Sequence, residues 1–135
     1  MTRNQETSNQ LNNKSEPGFK KLLAWQKADE LAEYVYLLTY RLPKEELFGI
    51  TSQLRRAVLS VPLNIVEGHA RFNKKEFARF LLISLGSLAE TEYLLDFCIR
   101  RRLFTEQEYL HAAKLRQETG NIIWKLYKSI KTNIN

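Results

Sequence analysis

The chain has 135 residues, 44% hydrophobic and 27% charged, enough for one core and too short for two ordinary domains. Five glycines and three prolines are too few turn formers for an all-β sandwich, which points to an all-α domain. Lys and Arg number 21 against 15 Asp and Glu, a +6 excess that fits an anionic partner, and the single cysteine, Cys98, excludes an intramolecular disulfide.

Residues 1–18 are polar, hold one Leu and balance their charges, which predicts a disordered tail ahead of a bundle domain over 19–135. No basic, apolar, small-residue leader opens the chain. The longest weakly charged stretch, Leu47 to Val66, is interrupted by Gln53, Arg55, Arg56, Pro62 and Asn64. The expectation is a cytoplasmic protein without a membrane span.

From Phe19 the spacing turns helical, with Ala28, Leu31, Ala32, Val35, Leu38 and Leu42 on one stripe that Pro43 ends. Pro43 suits the first turn of a second helix, Glu45 and Glu46 complement its dipole, and Ile50, Leu54, Ala57, Val61 and Ile65 point inward as far as Ala70. Asn73 with Glu76 forms a capping pattern that opens a third helix running to about Leu103. Thr105 with Glu108 repeats it for a fourth, which turns Tyr109, Ala112, Thr119, Ile122, Ile123, Leu126 and Ile130 to the core and frays near Lys131. Short connections between long helices predict an antiparallel up-down-up-down four-helix bundle.

Helices two and three are apolar on more than one side. Phe80 to Ala89 carries no charge, and Leu59, Pro62 and Val66 add a second stripe to helix two. Either the protein self-associates, or these helices fill the centre of a tight bundle in which Gly86 and Ser87 let backbones approach. Pro62 leaves the Val58 carbonyl without its intrahelical donor and predicts a kink near Val61.

A polar stripe crosses this region. Arg56, Ser60, Asn64, Glu67 and Arg71 share one helical face. With the turn near Phe72, an antiparallel partner sets Ser60 opposite Ser84 and brings Arg56 near Ser87 and Glu90. An Arg56–Glu90 ion pair is expected, because a partly buried Arg needs acceptors. The seam reads as a network that sets helix register, or as a ligand site.

Cations gather where the start of helix one, the turn between helices two and three, and the end of helix four meet. Lys20, Lys21, Lys27, Arg71, Lys74, Lys75, Arg79, Lys125, Lys128 and Lys131 outweigh Asp29, Glu30, Glu67 and Glu76 there, which accounts for the whole +6 excess. Such an end is either a solvated face or a phosphate-binding one.

Catalytic chemistry is hard to assemble. His69 and His111 fall near opposite ends, no activated nucleophile stands out, and phosphate-binding glycine loops are absent. Glu108 and His111 have a di-iron-like spacing without the second motif, and Cys98 has no companion ligand. The expectation is a non-enzyme with no metal and no cofactor.

Leu23-Ala24-Trp25-Gln26-Lys27-Ala28, Gln53-Leu54-Arg55-Arg56-Ala57, Ser60, Pro62, Asn64-Ile65-Val66-Glu67-Gly68, Arg71 and Gly86-Ser87-Leu88 with Glu90 resemble the four-helix-bundle family of 23S rRNA intervening-sequence proteins. The likeness covers about Phe19 to Lys131, with Val66 where Ala is usual. Members of that family are similar to the accessory proteins of diversity-generating retroelements, which form pentameric barrels with basic surfaces. The resemblance implies a ring-like homo-oligomer, a pentamer, able to bind RNA or DNA. A protein-interaction scaffold without nucleic-acid binding is the alternative.

Overall fold

A computed structural model describes residues 17–134, so the tail expected over 1–18 falls outside the described residues except for Pro17 and Gly18. The described residues form four α-helices and no strand: α1 (Leu23–Thr39), α2 (Ser52–Ala70), α3 (Lys74–Arg100) and α4 (Glu106–Thr132). The all-α expectation holds. None of the helices is long and apolar enough to cross a membrane.

The third and fourth helices start where their capping residues predict. Asn73 Oδ1 accepts from the Glu76 N–H at 3.0 Å, and Thr105 and Glu108 form a reciprocal capping box with bonds of 2.8 and 3.1 Å. The first two helices are shorter than expected. A tight 3-10 turn over Gly18–Lys21 precedes α1, because Leu22 is extended, and Gln26 Nε2 donates back to the Lys20 carbonyl at 2.8 Å. At its other end α1 stops at Thr39, four residues ahead of Pro43.

Pro43 does not open α2. It caps a short turn over Lys44–Glu46, and Gly49, out of helical geometry at φ −111° and ψ −110°, separates that turn from α2. Arg55 ties the connection together: its Nε donates to Thr39 Oγ1 at 2.8 Å, and its guanidinium lies 5.1 and 5.3 Å from the Tyr36 and Tyr40 ring centres. The helical course of α2 continues through buried Pro62.

The periodic apolar residues build one core. Leu31 and Val35 from α1, Leu54, Val58, Val61 and Ile65 from α2, Leu81 and Leu95 from α3, and Ile123 from α4 are fully buried. Each such side chain is worth about 1.5–3 kcal/mol against leaving it exposed. Helix α1 packs on α2 and α4, and α3 packs on α2 and α4. Leu42, expected on the α1 stripe, lies beyond the helix and only half buries.

Cys98 belongs to this core, and burial pushes its thiol up to about 11. At pH 8 the folded protein therefore carries almost no thiolate there. Alkylation by iodoacetamide, followed by mass spectrometry, should be negligible in native buffer and complete in denaturant.

Candidate nucleic-acid interface

The serines and Asn64 of the seam do meet, in a register different from the expected one. Ser60 Oγ lies 2.8 Å from Ser87 Oγ rather than opposite Ser84, and Asn64 Nδ2 donates to the Ser60 carbonyl and hydroxyl at 2.8 and 2.9 Å. Fully buried Ser84 donates to the Val61 carbonyl at 2.8 Å, and Thr91 to the Ser87 carbonyl at 2.9 Å. Side chains of packed helices interdigitate, so both serines of α3 reach the level of Ser60 and Val61.

The Arg56–Glu90 pair does not form. Both side chains are exposed, and no carboxylate of the described residues lies within 4.0 Å of Arg56. In water neither charge needs a partner, and an exposed pair offers only about 0–1 kcal/mol. Glu67, at the far end of the stripe, binds Arg71 at 3.2 Å. The hydroxyls and the amide of the seam are bonded internally, which leaves little for a ligand.

Gly86 does not sit at the close approach expected of it. A methyl group there would meet nothing within 4 Å, because Gly86 lies on the outer side of α3 beside exposed Leu82 and Ile83. The close approach is at Gly68, whose hypothetical Cβ would fall 2.7 Å from Phe80 Cβ and 3.1 Å from Phe77 Cδ1. Gly86→Ala should therefore stabilise the protein by about 1 kcal/mol through helix propensity alone, raising the urea midpoint at unchanged slope.

The basic residues do share one end. Gly18 abuts His69 at the foot of α2, and Leu22, Leu23 and Ala24 line one groove with Ile122, Lys125 and Leu126 of α4. The start of α1, the α2–α3 turn and the end of α4 are thereby neighbours. Three of the ten cations are engaged: Lys27 with Glu30 and Glu118 at 3.4 and 3.5 Å, Arg71 with Glu67, and Arg79 with Glu76 at 3.0 Å. The Arg79 bond holds the Glu76 carboxyl below its ordinary value, and the two carboxylates raise Lys27, Glu30 most.

Lys20, Lys21, Lys74, Lys75, Lys125, Lys128 and Lys131 pair with no carboxylate of the described residues. Lys128 and Lys131 instead lie over the Trp124 and Tyr127 rings, at 5.8 and 5.6 Å. Lys74 and Lys75 occupy the first turn of α3, where the helix dipole disfavours cations. One feature of this end went unread in the sequence. Phe72, at the tip of the α2–α3 turn, is in the left-handed region at φ 53°, where no residue-type signal announces a phenylalanine.

Among the described residues no group of three or more His, Cys, Asp or Glu side chains is placed to hold a metal. His111 stands against the Tyr34 ring at 4.5 Å, and Glu108 serves the Thr105 cap and pairs with Arg41. What remains is a four-helix bundle with a satisfied internal seam and one cationic end. The chain belongs to the 23S rRNA-intervening sequence protein family, whose profile matches residues 20–125. It is similar to a crystal structure from Bacteroides thetaiotaomicron of a protein with unknown function from the S23 ribosomal protein family. That likeness has 26% identity and a TM-score of 0.73, over 78% of this chain and 96% of that one. No curated protein matches the chain.

Proposed function

We propose that the protein is a non-enzymatic, cytoplasmic oligomer that binds RNA or DNA through the basic end of its bundle, by contacts to phosphates rather than to base edges. The observation that carries this reading is the cluster of lysines at one end that have no carboxylate partner among the described residues, two of them kept on the first turn of α3 against the helix dipole. A solvated surface has no reason to prefer cations at that position.

The contact pairs support an up-down-up-down course. Lys27 meets Glu118, Tyr34 meets His111 and Arg41 meets Glu108 between α1 and α4, while Glu92 meets Arg116 between α3 and α4. Exposed Leu59 and Leu63 on α2, with Leu82 and Ile83 on α3, support self-association through apolar surface. The reading takes this oligomer to be a pentameric ring, the form that the family resemblance implies, in which the basic ends share one rim.

Fluorescence anisotropy with structured RNA and duplex DNA, at several salt concentrations, tests the reading. Log affinity should fall linearly and steeply with log salt. Absence of binding at low salt with the oligomer intact would overturn it, leaving the protein-interaction scaffold that the same apolar surface favours.

A further inference from the structure

We propose that Phe72 is a base-stacking residue that holds an unpaired nucleobase at the tip of the basic turn, an inference that rests on the nucleic-acid reading above. Phe72 is 91% exposed and sits in the left-handed region at φ 53°. Glycine or asparagine fits that backbone more easily, and Asn73 stands next door in the chain. Neither core packing nor backbone preference explains a phenylalanine there. A large aromatic kept in an unfavourable backbone conformation and in full contact with water is a residue whose use lies outside the folded chain.

The surroundings specify the chemistry. Arg71, Lys74 and Lys75 lie within three residues of Phe72 in the chain, so a ligand reaching the ring is met by phosphate-binding charges. The His69 ring lies tilted beside it at 6.2 Å and 53°, itself set edge-on to Phe77 at 6.0 Å. The rest of the Phe72 ring is open. An exposed aromatic face on a basic turn is the arrangement on which single-stranded nucleic acid stacks its bases, with little dependence on sequence. Bases inside a duplex are already stacked on their neighbours and have no such face to offer.

The other exposed aromatic side chains do not meet these conditions: Tyr40 has the Arg55 guanidinium over it, and Tyr93 shares a groove with Glu92 and Asp96. Trp124 is stacked on Tyr127 at 5.4 Å and has the Lys128 ammonium over it, while buried Phe80 lies beneath the guanidinium groups of Arg71 and Arg79. Phe48 is as exposed as Phe72, at 94%, but it lies at the opposite end of α2 and follows Glu45 and Glu46. Acidic neighbours repel phosphates, so Phe48 serves as the internal control.

The test uses the full chain with two probes of equal length: a single-stranded RNA carrying one 2-aminopurine, and an RNA duplex. Phe72→Ala should weaken single-strand binding about tenfold, equivalent to roughly 1.4 kcal/mol, change duplex binding less than twofold, and abolish stacking-induced quenching of 2-aminopurine. Phe72→Trp should preserve binding and quenching, and Phe48→Ala should change neither. Phe72→Gly, which suits the left-handed backbone, should reproduce the loss and so exclude misfolding as its cause. Equal losses on both probes, or none, would overturn the stacking role while leaving phosphate binding in place. A fall in oligomer mass in Phe72→Ala by light scattering would make Phe72 a subunit contact instead. If the native protein binds neither probe, the nucleic-acid reading falls, and this one with it.

Discussion

Gly68→Ala should destabilise the protein by about 1–2 kcal/mol, although alanine is the better helix former by about 1 kcal/mol in an unconstrained helix. The added methyl would stand 2.7 Å from Phe80 Cβ and 3.1 Å from Phe77 Cδ1. A Cβ is the root of its side chain and cannot swing aside, so relief requires α2 and α3 to separate. Overpacking of this kind costs roughly 1–3 kcal/mol before any other contact is lost. Separation would also stretch the Ser60–Ser87 and Ser84–Val61 hydrogen bonds, both 2.8 Å, which lie along the same helix pair. Urea unfolding monitored by circular dichroism checks the sign. A midpoint at or above that of the native protein would show that the seam yields without cost. Gly86→Ala is the matched control, since the same substitution at an open position carries the propensity gain and no clash.

The contrast between these two glycines explains what the sequence could and could not convey. Periodicity located the helices because an apolar stripe must face a core, and the caps at Asn73 and Thr105 could be read because few side chains can accept from the exposed N–H groups of a helix start. Which glycine meets a neighbour depends on the rotation of each helix about its axis, which the pattern alone leaves loose when a helix is apolar on two sides. Gly86, among Leu, Ile and Ser, looked like a contact and faces outward; Gly68, between Glu67 and His69, carries the close approach. The α1–α2 connection was misread for a related reason. Proline opens helices and ends them with equal ease, and the break at Gly49 has no signature beyond the residue itself. At the candidate site the cluster of cations was legible, because the start of α1, the α2–α3 turn and the end of α4 are neighbours. The left-handed backbone of Phe72 was not, because glycine usually occupies that position after a helix.

Reversing three of the clustered charges, with Lys74→Glu, Lys75→Glu and Arg79→Glu together, should lower affinity for duplex DNA by about two to three orders of magnitude at 0.1 M salt. Each lost phosphate contact removes roughly 0.9 from the slope of log affinity against log salt, which is close to tenfold per contact at that concentration relative to 1 M. The slope itself should fall by about 2.7, and more if several copies present the same turn to one ligand. Folding should survive the change. Glutamate on the first turn of α3, where Lys74 and Lys75 stand, gains about 0.3–1 kcal/mol per residue from the helix dipole. That gain offsets the loss of the Arg79–Glu76 pair, which is exposed and screened by solvent. The native protein thus carries lysines where its own stability favours acids, a choice that helix energetics oppose and phosphate binding explains. If the reversed variant keeps the native slope and affinity, phosphates do not bind at this end, and phosphate binding does not account for the lysines on the first turn of α3.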